Sequence, residues 1–155
     1  MGTDKDRITF RMMRLCSTGE KCRSEILGKL AGAGLPDADA QQIVDKLCRE
    51  GYIDEARYSR AFVHDKSSLQ GWGIAKIRLA LQRKGISSED IASAIGEMDT
   101  EAADRRLTAI MTAKWKSLSS EKDIRKKQAR LFRHALARGY GYDQIQRVYD
   151  TFRTT

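Results

Sequence analysis

The chain has 155 residues, a net charge of +8 at neutral pH, and a composition of 41% hydrophobic and 32% charged residues. This length suits one domain or a few small repeats, and this balance excludes a disordered chain. No apolar run approaches the roughly 20 residues that a membrane-spanning helix needs. The excess of basic residues favours an acidic partner: nucleic acid, an acidic protein surface or anionic lipid.

The N-terminal segment lacks the apolar stretch of a signal peptide, so we expect a cytoplasmic protein. The three cysteines, Cys16, Cys22 and Cys48, form no CxxC pair and no even set. They also share no metal-ligand spacing with His64 or His134. We therefore expect small free thiols, and the residues indicate neither a metal site nor a cofactor.

Apolar residues recur three and four positions apart along almost the whole chain, which predicts helices, and no segment alternates as a strand does. We expect about eight or nine helices, with boundaries placed to within ~2–4 residues. Two stripes show the pattern most clearly: Ile43, Val44, Leu47 and Cys48 in the first third of the chain, and Ile145, Val148, Tyr149 and Phe152 near its end.

Helix-start signals occur at intervals along the chain. Pro36 stands at a first-turn position, where the missing N–H of proline costs nothing. Asp54 and Asp99 follow short apolar segments and are good N-caps. Capping-box spacing predicts three further starts, from Ser17 with Glu20, Ser87 with Asp90 and Ser120 with Asp123.

Three glycines, Gly34, Gly85 and Gly139, each follow a predicted helix and precede an apolar residue and the polar start of the next helix. They lie 51 and 54 residues apart, and each suits the left-handed conformation that often ends a helix. The spacing predicts an all-α fold of three tandem three-helix repeats. We expect these to stack into an elongated, curved array, because each trio is too small to bury a core alone. The expected repeats span 1–50, 51–98 and 99–155.

The basic residues concentrate on the middle helix of each repeat, at 20–30, 71–84 and 121–138. These segments hold 3, 4 and 7 basic residues against 2, 0 and 2 acidic ones. Single-sign charge on equivalent helices favours a binding surface over a merely solubilising one, since clustered Lys and Arg form an electrostatic footprint. The candidate binding residues are Lys76, Arg78, Arg83, Lys84, Lys122, Arg125, Lys126, Lys127, Arg130, Arg133 and Arg138.

Helical phase places many of these basic residues away from the expected core. In the middle helix of the second repeat, Ile74, Ile77 and Leu81 form the stripe that we expect to be buried. Lys76 and Arg83 share the face away from it. In the third repeat, the expected apolar side holds Ile124, Leu131 and Ala135 with Leu136 flanking, and the opposite side holds Lys122, Lys126, Arg130 and Arg133.

No motif in the sequence supports an enzyme. The chain contains no GxxxxGK[ST] or GxGxxG loop for phosphates, no HExxH and no GxSxG. The GWG at 71–73 indicates only a tight helix start, and the acidic segment 36–40 lacks the register of a calcium-binding loop. Three aromatic residues, Trp72, Tyr58 and Tyr142, are candidates for stacking on nucleic-acid bases, although packing is the commoner role.

One long segment, 51–86, resembles the RecX family of bacterial recombinase regulators. It joins a Gly-aromatic-Ile-Asp-x-x-Arg-aromatic run to a basic helix that ends in Lys-Gly-Ile, and 23–30 resembles the family's first-repeat helix. With the three tandem units, the resemblance covers nearly the whole chain. The matching residues are Gly51, Tyr52, Ile53, Asp54, Arg57 and Tyr58, followed by Lys84, Gly85 and Ile86.

The resemblance implies a protein that binds the RecA filament, lies in its helical groove across subunits, and inhibits ATP hydrolysis and strand exchange. Many members of the family also contact DNA. Such a regulator acts by occupancy and needs no chemistry of its own. Two alternatives stay open: a sequence-independent nucleic-acid-binding helical repeat protein, and a helical scaffold whose charge only keeps it soluble. We expect a monomer that binds no membrane.

Overall fold

The structure is a computed structural model that describes residues 3–154. Over that range it contains nine α-helices, one π-helical turn and no strand, so the all-α prediction is confirmed. The helices are α1 (Asp4–Ser17), α2 (Arg23–Gly32), α3 (Asp37–Arg49), α4 (Glu55–His64), α5 (Ile74–Arg83), α6 (Ser88–Gly96), α7 (Thr100–Ser117), α8 (Ile124–Ala137) and α9 (Tyr142–Thr154), and the π-helical turn is Asp65–Leu69.

Several of the predicted helix starts are confirmed by their caps. The Asp99 carboxylate accepts the N–H groups of the first turn of α7, at 3.0 and 3.2 Å. Asp54 accepts the N–H of Arg57 at 3.0 Å, and Ser87 accepts that of Asp90 at 3.1 Å. Each side chain satisfies a backbone donor that the helix itself leaves unpaired.

Two of the predicted starts are wrong. Ser17 ends α1 instead of starting a helix, because its hydroxyl donates to the carbonyl of Arg14 at 2.6 Å. Ser120 also starts no helix: α8 begins after Asp123, whose carboxylate accepts the N–H of Arg125 at 2.9 Å. In both places a competing local hydrogen bond decides where the helix ends or starts.

The glycines that suggested the repeats adopt the expected conformation. Gly34, Gly85 and Gly139 have φ of 84°, 79° and 100°, in the left-handed region. Each lies just after a helix, so the prediction that these glycines end helices is confirmed.

The chain divides into two compact units. The first unit comprises the residues up to Ala61 with Leu81–Ala94, and the second comprises Phe62–Ala80 with the residues from Ile95 onward. In the first, α3 packs against α1 and α2, and in the second, α7, α8 and α9 pack together. The boundaries of the three expected repeats stay a prediction.

Each unit has its own hydrophobic core. The core of the first unit contains Met12, Ile26, Leu30, Ala40, Ile43, Val44, Leu47 and Ile53. The core of the second unit contains Leu107, Met111, Leu118, Leu131, Phe132, Ala135, Tyr140, Ile145, Val148 and Tyr149.

The predicted apolar stripes are confirmed along the helices and wrong at two helix starts. Ile77, Leu81, Leu131 and Ala135 are fully buried. The residues that we expected to be buried but that are exposed include the first residues of α5 and α8. At these positions the helix extends beyond the part that packs against the core. These two residues are Ile74, 37% exposed, and Ile124, 58% exposed, and the flanking Leu136 is 46% exposed.

Inside the second unit, α5 begins directly against the end of α8. The N–H of Gly73 donates to the carbonyl of Arg138 at 2.7 Å, and the N–H of Ala75 donates to the carbonyl of Gly139 at 3.0 Å. A Cβ on Gly73 would lie 2.5 Å from the carbonyl oxygen of Gly139 and from the N of Tyr140. The second glycine of GWG is therefore needed for close backbone approach as well as for a tight helix start.

Replacing Gly73 with alanine is expected to lower the free energy of unfolding by about 3 kcal/mol or more, at the upper end of the cost of overpacking, since backbone atoms cannot rotate away. Gly96→Ala is the matched control, because a Cβ there meets nothing within 4 Å. It should change stability by no more than about 1 kcal/mol. Urea unfolding followed by circular dichroism measures both, and equal stabilities would contradict the proposed close contact.

Candidate binding surface

The exposed face of α8 carries cations that lack acidic partners. Leu131, Phe132 and Ala135 bury the other face of this helix. Within the part of the chain that the structure describes, Arg125, Lys126 and Arg133 form no ion pair. The exposed basic residues of this segment are Lys122, Arg125, Lys126, Arg130 and Arg133, of which Arg130 lies 4.0 Å from Glu121.

Two further cations of this segment are held by neighbours. The Lys127 ammonium lies 4.0 Å from the ring centre of Trp115, which packs edge-on against Tyr149 with the ring centres 5.7 Å apart. The Arg138 guanidinium donates to the carbonyl of Gln70 at 3.3 Å. Both side chains are half-buried, so their positions are more restricted than those of the exposed cations.

The predicted basic residues of α5, and Lys84 just after it, belong to two different units. Lys76 and Arg78 are exposed and belong to the second unit, as α8 does. Arg83 is exposed in the first unit, where Lys84 is half-buried and pairs with Glu25 at 3.6 Å. The second unit therefore contains nine of the eleven predicted residues, and the first unit contains Arg83 and Lys84.

A lysine–tryptophan cluster lies at the start of α5, and sequence reasoning found only part of it. The ammonium groups of Lys66 and Lys76 lie 4.8 and 4.4 Å from the ring centre of Trp72. Phe62 meets the same indole edge-on, with the ring centres 6.3 Å apart. Trp72 thus holds two cations at once, and a nucleic-acid base would have to displace them before it could stack there.

Lys66 was missed because it lies in the π-helical turn. A π-helical turn inserts residues out of phase with the 3.6-residue period, so the pattern used for the other helices fails there. The buried Ser67 hydroxyl donates to the carbonyl of Val63 at 2.7 Å within this stretch. In the sequence, the cluster is marked only by a lysine six residues before a tryptophan. That spacing does not place two residues on the same face of an α-helix.

The other two candidate stacking residues differ in exposure. Tyr58 is only 6% exposed, and burial raises the pKa of its hydroxyl. The stacking hypothesis is wrong for Tyr58, because a base cannot reach it. Tyr142 is 56% exposed and touches Phe132 edge-on, with the ring centres 5.6 Å apart.

The residues that carry the family resemblance have structural roles within the first unit. Gly51 has a φ of 79°, and Asp54 caps α4 through the N–H of Arg57. The Arg57 guanidinium donates to both carboxylate oxygens of Glu20, at 2.6 and 2.8 Å, and to the carbonyl of Gly51 at 3.1 Å. These residues hold the turn before α4 in place.

The cysteines are free thiols in the structure, with Cys22 buried and Cys16 and Cys48 half-buried. Burial raises the pKa of the Cys16 and Cys22 thiols, which favours their protonated form. Among residues 3–154 no group of three or more His, Cys, Asp and Glu side chains could hold a metal ion. None of the helices described is long and apolar enough to span a bilayer.

Comparison with known proteins identifies the family. The family model for the second three-helix domain of RecX matches residues 54–95, and the model for the third three-helix domain matches residues 103–149. The regulatory protein RecX of Pectobacterium atrosepticum is 33% identical over 154 residues, which cover 96% of this chain and 90% of that protein. The chain belongs to the RecX family.

A longer relative and a solved structure are also similar to this chain. The regulatory protein RecX of Clostridium botulinum (strain Eklund 17B / Type B) is 31% identical over 83% of this chain, which spans only 60% of that relative's length. The crystal structure of RecX from Lactobacillus salivarius matches with a TM-score of 0.85 at 19% identity, covering 98% of both chains. That likeness confirms the all-helical RecX fold.

The contact between Lys76 and Trp72 predicts a measurable coupling. A double-mutant cycle with Lys76→Met and Trp72→Leu should give about 0.5–1 kcal/mol in the free energy of unfolding, the range of exposed cation–π pairs. The control cycle uses Arg78→Met with Trp72→Leu, because Arg78 is exposed on the same helix and no contact with this ring is described. Its coupling should stay within about 0.3 kcal/mol. Equal coupling energies in the two cycles would mean that Trp72 does not hold Lys76.

Proposed function

We propose that this RecX protein regulates the RecA recombinase by binding in the groove of the RecA–DNA filament, where it modulates ATP hydrolysis and strand exchange. The observation that carries the proposal is the exposed face of α8, where Arg125, Lys126 and Arg133 form no ion pair with any described residue. These cations can meet carboxylates or phosphates without first breaking an internal pair. A filament of protein, nucleotide and DNA offers both kinds of anion.

The junction between α5 and α8 supports this function because it fixes two basic segments within one unit. The backbone hydrogen bonds from Gly73 and Ala75 to Arg138 and Gly139 tie the start of one helix to the end of the other. Groups held in place before binding lose less conformational freedom when the complex forms. A surface of many weak, preorganised contacts suits a groove that extends over several subunits.

The proposed mode of action is occupancy. A protein that blocks or braces a groove needs no nucleophile, general base, metal or cofactor, in agreement with a sequence that contains no catalytic motif. We propose that it acts as a monomer in the cytoplasm, where RecA filaments assemble. Inhibition is the direction that the family resemblance implies.

Sequence-independent nucleic-acid binding is the second candidate function. The exposed cations of α8 and the exposed Tyr142 favour it, because cations can meet phosphates and an exposed aromatic ring can stack on a base. The two functions differ in their preferred target and in their response to salt. Direct binding to single-stranded DNA predicts that log K falls with log salt with a slope of about 0.7 per phosphate contact.

Charge reversal on α8 tests the regulator proposal. The readout is the DNA-dependent ATPase of RecA at increasing concentrations of wild type or variant, with binding to the assembled filament, to free RecA and to bare DNA measured alongside. Reversal should raise the half-inhibitory concentration about tenfold or more, because each exposed pair contributes roughly 0.2–1 kcal/mol and reversal adds repulsion. The variant carries Lys122→Glu, Lys126→Glu, Arg130→Glu and Arg133→Glu.

A second variant with the same change in net charge tests whether the loss of inhibition comes from this surface or only from the altered net charge of the protein. Four exposed cations of the first unit, none with an ion pair among the described residues, are reversed together, and this control should inhibit as wild type does. If wild type leaves the ATPase unchanged at stoichiometric ratios, the regulator proposal is wrong; equal inhibition by both folded variants would mean that α8 is not the contact. The control carries Arg11→Glu, Arg14→Glu, Lys29→Glu and Lys46→Glu.

A further inference from the structure

A cleft between α7 and α8 in the second unit combines a methyl-lined wall with three nitrogen-bearing side chains. Its volume is about 450 Å³, within the range of sites that hold small ligands or a few side chains. It is distinct from the exposed face of α8, since none of its lining residues is among the exposed cations of that face. The lining residues are Ala109, Ile110, Ala113, Lys114, His134 and Arg138.

The charge in this cleft is unbalanced. Neither Lys114 nor Arg138 forms an ion pair with any residue in 3–154. His134 is half-buried beside them, and burial, followed by the charges of Lys114 and Arg138, lowers the pKa of its imidazole. An anion in the cleft would meet two cations and a ring that can take up a proton, with no described carboxylate paired to either cation.

The apolar wall decides which anion fits. Ala109 and Ala113 lie one turn apart on α7, and with Ile110 they line the cleft with methyl groups. A phosphodiester is surrounded by polar oxygen and sugar and gains little from methyl groups. A glutamate or aspartate side chain carries a methylene stem, and an apolar neighbour in the same peptide can cover the alanines.

We propose that this cleft binds a segment of a partner protein that presents an acidic side chain beside an apolar one. The carboxylate lies between Lys114, His134 and Arg138, and the apolar side chain packs on Ala109 and Ala113. This assigns a protein-specific contact within the second unit, separate from the salt-sensitive cations on the outside of α8.

Gly71 lies next to two of the residues that line the cleft, Ile110 and Arg138. A Cβ at this position would lie 3.3 Å from the Arg138 guanidinium and 3.3 Å from Ile110 Cδ1. Gly71 also has a φ of 70°, which disfavours other residues, and its carbonyl accepts the Tyr140 hydroxyl at 3.0 Å. The missing side chain at Gly71 therefore leaves room for the Arg138 guanidinium, which donates to the neighbouring Gln70 carbonyl at 3.3 Å.

The test uses the full chain and a defined probe, the acetylated and amidated pentapeptide LELEL. Its glutamine counterpart LQLQL and the oligonucleotide pentathymidylate are titrated in parallel. The readouts are the NMR shifts of the Ala109 and Ala113 methyl groups and the pKa of each histidine ring. His64, whose side chain is 73% exposed, is the internal reference for the ring measurements.

The acidic peptide is expected to shift both alanine methyl groups and to raise the pKa of His134, while the ring signals of His64 should not respond to the peptide. Its affinity should increase as the pH falls from about 8 to about 5.5, because the bound carboxylate favours the protonated ring that burial disfavours in the free protein. The glutamine peptide should bind about tenfold or more weakly, since it loses the charge-assisted hydrogen bonds.

Two alanine variants locate the site without changing charge. Ala113→Leu fills the cleft and should weaken the peptide about tenfold or more, whereas Ala129→Leu, on the exposed part of α8, should not. Lys114→Gln should also weaken binding of the acidic peptide, and this effect does not depend on packing in the cleft. Thermal unfolding verifies that each variant folds.

Three results would overturn the inference. The first is preferential binding of pentathymidylate at the same methyl groups, which would make the cleft a phosphate site. The second is equal affinity of the two peptides. The third is no methyl shift at peptide concentrations up to about 10 mM, above the Kd of about 1 mM expected for a weak site. Because the titration contains no RecA, its failure would leave the proposed regulation of RecA standing.

Discussion

The end of α8 and the start of α5 complete each other's backbone hydrogen bonding, and the arrangement of the second unit depends on this contact. A helix leaves unpaired N–H groups at its start and unpaired carbonyls at its end, with partial positive and negative charge. Here the N–H groups of Gly73 and Ala75 meet the carbonyls of Arg138 and Gly139, so opposite helix ends face one another. Only glycine permits this distance, because a Cβ on either Gly73 or Gly139 would overlap backbone atoms.

That contact has a consequence for charge. The three N–H groups of GWG already donate to the carbonyls of Ser67, Lys66 and Arg138, so GWG does not form an anion-binding loop. The basic character of this region lies instead in side chains around the junction. Lys66 and Lys76 are held by Trp72, and Arg138 is held by the carbonyl of Gln70. The backbone contact fixes the positions of the two helix ends, and the side chains around it supply the positive charge.

The sequence predicted those features that depend on interactions between residues close together in the chain. The helix-ending glycines and the caps at Asp54, Ser87 and Asp99 were found because each depends on residues within one turn. The approach of Gly73 to Gly139 joins residues far apart in sequence, which no periodic pattern reports. The cleft of α7 and α8 was missed for the same reason: Ala109 and Ala113 indicate only a helix until the facing side chains of α8 are known.

The two cationic features of the second unit differ in what they can contribute to a complex. Exposed cations such as Arg125 and Lys126 act over a distance, accelerate encounter and are screened by salt. Half-buried groups such as Lys114 and Arg138 are screened less, and they contribute chiefly to how long a partner stays bound and in which register. A partner surface whose anions repeat along a filament would attract the exposed cations equally at many positions. A directional contact in the cleft would add a preference for one of these positions, while the exposed cations alone still allow binding.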